Sequence, residues 1–73
     1  MLKWKILPEF DRNDGTHTRF QIRMFGEVFQ IKLENDETWS ILKRDKLGES
    51  FFPIKEGLLG IKPAKKYFAH YIL

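Results

Sequence analysis

The chain has 73 residues, no cysteine and a formal net charge of +3. This length predicts a single domain over residues 1–73, and the lack of cysteine excludes disulfide frameworks, thiolate-based zinc sites and thiol catalysis. Small domains without such staples need another source of stability. Seven Phe, two Trp and two Tyr residues supply bulk that can leave water on folding. We therefore expect an aromatic-rich core, either within one chain or completed by a second copy.

The charge balance and the hydropathy of the chain give weak indications of its partners and location. Thirteen basic residues against ten acidic ones favour acidic partners only slightly. No stretch approaches the ~20 apolar residues of a membrane helix, and the first residues lack the apolar run of a secretory signal. Because the chain also begins with Met and has no cysteine, the sequence predicts a complete cytoplasmic protein without membrane association.

The first residues predict a half-buried strand that leads into a long loop. Apolar residues at positions 2, 4 and 6 alternate with Lys3 and Lys5, and Pro8 ends the pattern. Residues 9–17 contain the turn formers Asn13, Asp14 and Gly15. The acidic residues of this segment do not have the spacing of an EF-hand, so we interpret it as a turn and not as a calcium site.

Residues 18–34 predict an antiparallel β-hairpin more clearly than any other segment. If Gly26-Glu27 is a two-residue loop, apolar residues face one another on one side of the hairpin and polar residues on the other. The apolar pairs are Phe20 with Leu33, Ile22 with Ile31 and Met24 with Phe29. The intervening pairs are Arg19 with Glu34, Gln21 with Lys32 and Arg23 with Gln30, and Phe25 faces Val28 beside the loop.

The next segments extend this sheet. A turn over residues 35–37 places Leu33 opposite Trp39 and Ile31 opposite Ile41, with Lys43 opposite Phe29 at the point where the strand should end. Residues 45–49 read as a turn. Residues 50–54 read as a short strand, which Pro53 confines to an edge or a strand end.

The last eleven residues predict an amphipathic helix. From Pro63, suited to the first helical position, apolar residues recur at helical spacing through Ile72. Alternation between Tyr67 and Leu73 leaves a strand as the weaker alternative.

These elements predict an α+β or mainly β fold: an antiparallel meander of four to five strands with one C-terminal helix on its apolar face. A small closed barrel remains the alternative, with the same residues inside. The expected apolar face consists of Trp4, Phe20, Ile22, Met24, Phe29, Ile31, Leu33, Trp39 and Ile41.

Catalytic chemistry finds little support in the sequence. Ser40 and Ser50 do not lie in a nucleophile-elbow context, and His17 and His70 have no neighbouring feature that would make either a general base. Neither a Walker loop nor a dinucleotide-binding fingerprint is present. We therefore expect no enzymatic activity, no cofactor, no metal and no small-molecule substrate, and no motif identifies a family.

Two kinds of binding surface remain. The outward positions of the first three strands carry a basic set that could contact nucleic acid, opposed by Glu34 alone: Lys3, Lys5, Arg19, Arg23 and Lys32. A solvated sheet face that discourages aggregation explains the same lysines. Apolar residues at outward or terminal positions suggest contact with another protein or a second copy: Phe25, Val28, Leu42, Tyr71 and Leu73. The leading hypothesis is a non-enzymatic module that acts through protein contacts, alone or as a homodimer, and the alternative is nucleic-acid binding.

Overall fold

The computed structural model describes residues 2–73 as a five-stranded antiparallel meander with one C-terminal helix packed against it. The strands follow in chain order across the sheet, with β1 and β5 at its two edges, so the sheet is open and the predicted barrel alternative is wrong. The elements are β1 (Lys5–Ile6), a 3₁₀ turn (Pro8–Phe10), β2 (Arg19–Met24), β3 (Glu27–Leu33), β4 (Trp39–Arg44), β5 (Phe51–Leu58) and α1 (Ile61–Ile72).

The β2–β3 hairpin forms as predicted, but its register differs by two residues. Met24 pairs with Glu27 and Ile22 with Phe29, so the loop is Phe25-Gly26 and not Gly26-Glu27. Both loop residues have positive φ, 54° at Phe25 and 75° at Gly26, as a type I′ turn requires. A shift of two residues keeps every side chain on its predicted face.

Glu27 makes ion pairs that belong to this register. As the first residue of β3, Glu27 brings its carboxylate to 3.1 Å from Lys43 Nζ and 3.4 Å from Lys46 Nζ. In the loop position that the sequence suggested, Glu27 would leave Lys43 on the apolar side of the sheet without this partner. Periodicity cannot detect this difference, because both registers alternate equally well.

The β3–β4 pairing confirms the sequence prediction. Leu33 faces Trp39, Ile31 faces Ile41 and Phe29 faces Lys43, and β4 ends one residue beyond Lys43. The connecting turn places Glu37 in the left-handed region, with φ of 69°.

The two edge strands depart from the predicted lengths. The alternating segment from residue 2 contributes only Lys5–Ile6 to the ladder, while the Trp4 ring packs edge-on against Phe68 with centroids 5.0 Å apart. In contrast, β5 continues through a segment that the sequence left unassigned. Two register irregularities let β5 accommodate Pro53 and Gly57, and an edge strand tolerates both.

Helix α1 confirms the helical interpretation of the C-terminus and begins two residues before the predicted start. Gly60 is the N-cap, so Pro63 occupies the third helical position. A Cβ at Gly60 would lie 3.3 Å from Pro63 Cδ, so the close approach of this proline explains the glycine.

The core lies between the helix and one face of the sheet. Its buried members are Ile22, Phe29, Ile31 and Ile41 from the sheet and Ala64 and Phe68 from the helix. Phe68 stands edge-on to Phe29 with centroids 4.9 Å apart. The predicted apolar face is thereby confirmed except at Leu33, which is half-buried outside this cluster.

Candidate binding surfaces

The sheet face opposite the helix gathers most of the predicted basic residues. The register places Lys5 opposite Gln21, Arg19 opposite Lys32 and Arg23 opposite Val28. Lys3 is exposed and precedes β1, outside the ladder. Sequence reasoning missed a fifth cation on this face, Arg44, which the alternation of β4 places on the same side as Leu42. We call Lys5, Arg19, Arg23, Lys32 and Arg44 the basic face.

The strands that carry the basic face contain a single acidic residue. Within the ranges of β1 to β4 the only acidic residue is Glu27, which lies on the helix side with Lys43. Among residues 2–73, the ion pairs reach the basic face only at Lys32, whose Nζ lies 3.5 Å from Glu34. Within residues 2–73, four of its five cations therefore have no carboxylate oxygen within 4.0 Å.

A row of buried polar groups forms the floor of the basic face. Gln30 is 5% exposed and Ser40 is 1% exposed, although both point away from the helix. Gln30 donates from Nε2 to Gln21 Oε1 at 2.9 Å, while Gln30 Oε1 and Ser40 Oγ have no hydrogen-bond partner among residues 2–73. Their cross-strand neighbours are Gln21, Lys32 and Leu42, so the long side chains of this face cover them.

Arg19 is held at the border of this face by an aromatic ring. Its guanidinium carbon lies 4.1 Å from the centroid of Phe10, which belongs to the 3₁₀ turn. The Nε of Arg19 is buried and has no hydrogen-bond partner in the part of the chain that the structure describes. Such stacking fixes the plane of the guanidinium while leaving its charge intact.

A second surface lies where the β2–β3 turn and the β4–β5 loop meet. Phe25 at the tip of the first turn is 77% exposed, and Leu47 at the tip of the neighbouring loop is 98% exposed. The two segments flank a cleft of about 350 Å³ lined by residues 26–28, 44–46, 48 and 49. Leu47 lines an adjoining hollow together with Phe52, another exposed aromatic. We call Phe25, Leu47 and Phe52 the turn-end surface.

Ion pairs of Glu27 lie next to the turn-end surface. Glu27 accepts from Lys43 and Lys46, and the Lys43 hydrogen bond, with a smaller share from Lys46, lowers the pKa of the Glu27 carboxyl from its usual range. This cluster ties β3 to β4 and to the β4–β5 loop, and it lines the same hollow as Leu47 and Phe52. The turn-end surface is therefore held to the sheet by charge at its base and is apolar at its tip.

The other predicted apolar candidates do not form one patch. Val28 is only 2% exposed, so it offers little area to a partner, although it lines the cleft between the two loops. Leu42 is half-buried on the basic face beside Gln30. Tyr71 is about half exposed on α1 with its ring 6.4 Å from Phe29, and Leu73 is exposed at the chain end. The predicted contact residues did not include Leu47 and Phe52. Leu47 lies in a predicted turn and Phe52 in a predicted strand, and neither pattern indicates an exposed apolar side chain.

A bidentate ion pair joins two loops at the opposite end of the sheet. Arg12 donates to both carboxylate oxygens of Glu37, at 3.1 and 2.6 Å, which links the long loop to the β3–β4 turn. The hydrogen bond from Arg12 lowers the pKa of the Glu37 carboxyl. His17 lies 3.1 Å from Asp11 in the same loop.

Residues 2–73 contain neither a cluster of metal-ligating side chains nor a membrane-spanning helix. No group of three or more His, Cys, Asp and Glu side chains there could hold a metal ion. No helix in this part of the chain is long and apolar enough to cross a membrane. Comparison with protein-family models, curated proteins and solved structures finds no match for this chain.

Proposed function

We propose that this protein is a small non-enzymatic binding module that acts through protein contacts made by the turn-end surface. The observation that supports this proposal is the conformation and exposure of Phe25. This aromatic residue occupies a left-handed backbone position that favours Asn or Gly, and its ring is largely exposed. Phe25 therefore raises the energy of the turn without adding to the core, and contact with a partner would give its ring a role.

The neighbouring side chains fit a contact of this kind. Phe25, Leu47 and Phe52 supply apolar anchors, while Lys46 and Glu49 form a charged rim around the cleft between the two loops. Interfaces typically combine a few buried aromatic or aliphatic anchors with a polar border. The partner is another protein or a second copy of this chain.

Sedimentation velocity over a range of concentrations tests the self-associating form. We expect association in the native chain and its loss in Phe25→Asn and in Leu47→Ser, because both remove an apolar anchor. Leu59→Ser is the matched control: Leu59 is 88% exposed beyond β5, away from this surface, and its loss should leave association unchanged.

A quantitative pull-down with the same variants tests the form that binds another protein. Partners should be retained by the native chain and by Leu59→Ser but lost with Phe25→Asn. A chain that stays monomeric, and whose captured proteins are the same with and without Phe25, would contradict the proposal.

A further inference from the structure

We propose that the basic face is a second binding site, independent of the turn-end surface, and that its ligand is the phosphate backbone of nucleic acid. The site spans β1 to β4 on the side away from the helix. It includes none of Phe25, Leu47 and Phe52, so each proposal can fail without the other, although Arg44 also lines the cleft between the two loops.

Charge segregation is the first observation that supports this site. Lys5, Arg19, Arg23, Lys32 and Arg44 share one face, and only Lys32 has an acidic neighbour within 4.0 Å among residues 2–73. The other lysines in ion pairs, Lys43 and Lys46, both pair with Glu27 near the β2–β3 turn. On a chain with a net charge of only +3, this arrangement concentrates positive potential on one surface.

Unpartnered polar atoms are the second observation. Ser40 Oγ, Gln30 Oε1 and Arg19 Nε are all buried and make no hydrogen bond within the described chain. Leaving such groups unpaired costs free energy, commonly about 1–3 kcal/mol each. Arg19, Lys32 and Ser40 lie side by side on β2, β3 and β4, so one oxyanion above this row would meet two cations, and it would reach the buried hydroxyl of Ser40 once the covering side chains turn toward the ligand.

The mixture of side chains favours nucleic acid over an acidic protein. Arginine, lysine, serine and glutamine are the residues that contact phosphate and sugar oxygens. Protein interfaces depend on apolar anchors, and within the strands the centre of this face offers only the half-buried Leu42. Since no aromatic ring lies at the centre to stack on a base, we infer contacts to the backbone that are independent of base sequence.

Fluorescence anisotropy with a labelled mixed-sequence oligonucleotide, titrated at several salt concentrations, tests this proposal. Four to five phosphate contacts predict a slope of log K against log salt of about −3 for a single strand and about −4 for a duplex. Running both forms identifies which one the face prefers.

Charge-reversal variants locate the site. Arg23→Glu combined with Arg44→Glu should weaken binding by about tenfold or more and reduce the slope by at least about 1.4. Lys62→Glu combined with Lys66→Glu makes the same change of net charge on exposed positions of α1 and should leave the slope unchanged.

Ser40→Ala supplies a readout that charge alone does not affect. Loss of the hydroxyl should weaken oligonucleotide binding at every salt concentration with the same slope, while the free energy of unfolding stays equal or rises because an unpaired group has been removed. Absence of binding at low salt, or equal weakening by the helix and sheet variants, would overturn the proposal. So would binding of a polyglutamate peptide that matches binding of the oligonucleotide, since the ligand would then be an acidic protein.

Discussion

At the scale of single residues, the β2–β3 turn places its aromatic residue where an asparagine would be more stable. Phe25 has φ of 54°, and an L-residue in this region costs roughly 1–2 kcal/mol unless it is Gly or, to a lesser degree, Asn or Asp. Gly26 at the second position meets the same requirement without that cost. The sequence shows the glycine clearly, but it cannot show which neighbour shares the turn.

Replacement of Phe25 by Asn should therefore stabilise the free chain. We expect the free energy of unfolding to rise by about 0.5–1 kcal/mol, since Asn-Gly suits a type I′ turn and the lost ring is mostly exposed. Urea denaturation should show a higher midpoint with an unchanged m-value. Leu47→Asn, at an exposed tip without positive φ, should change stability by less than about 0.5 kcal/mol. Equal or lower stability in Phe25→Asn would show that its turn is not strained.

At the scale of secondary-structure elements, ion pairs connect segments that the hydrophobic pattern treats separately. Glu27 joins β3 to Lys43 of β4, and Glu37 joins the β3–β4 turn to Arg12 of the long loop. Neither contact can be read from spacing, because each depends on which loops the folded sheet brings together. The predicted alternation of β2, β3 and β4 succeeded because it requires only that one face be apolar.

These ion pairs predict a loss of stability in acid. Both carboxyl groups have a pKa below the ordinary value of 4.5, Glu27 because of Lys43 and Glu37 because of Arg12. Their contribution is present above the unfolded-state pKa and is lost as the pH falls through the folded-state pKa. The free energy of unfolding should therefore decrease below about pH 4.5.

Denaturation measured between neutral pH and about pH 3 tests this expectation with single variants. Glu27→Gln and Glu37→Gln should each show a shallower decline than the native chain. Glu49→Gln, which removes an exposed carboxylate outside the ion pairs of residues 2–73, should follow the native curve. Identical curves for all four proteins would contradict the assigned role of the ion pairs.

At the scale of the whole molecule, the sheet separates a helix-covered core from an open basic face, with the turn-end surface at one end. The sequence predicted the meander, the helix and most of the core, because these follow from alternation, punctuation and helical spacing, but it left the choice between an open sheet and a closed barrel undecided. The predicted exposure of Val28 was wrong, because neighbouring side chains bury this residue although alternation places it on the outward face. The sequence also missed Leu47, since exposure of a loop tip depends on how neighbouring hairpins meet.

Both proposed surfaces depend on the β2–β3 register. A shift of two residues moves Phe25 out of the turn but preserves the faces, whereas a shift of one residue would turn Arg19 and Arg23 toward the helix. The register is therefore the structural claim on which the functional account rests.

Interproton contacts across β2 and β3, measured by nuclear Overhauser spectroscopy on labelled protein, test this claim most directly. The account predicts backbone contacts between Ile22 and Phe29 and between Met24 and Glu27. Contacts between Met24 and Phe29 and between Ile22 and Ile31 instead would place the loop at Gly26-Glu27. That result would contradict the strained position of Phe25 and the proposal that depends on it.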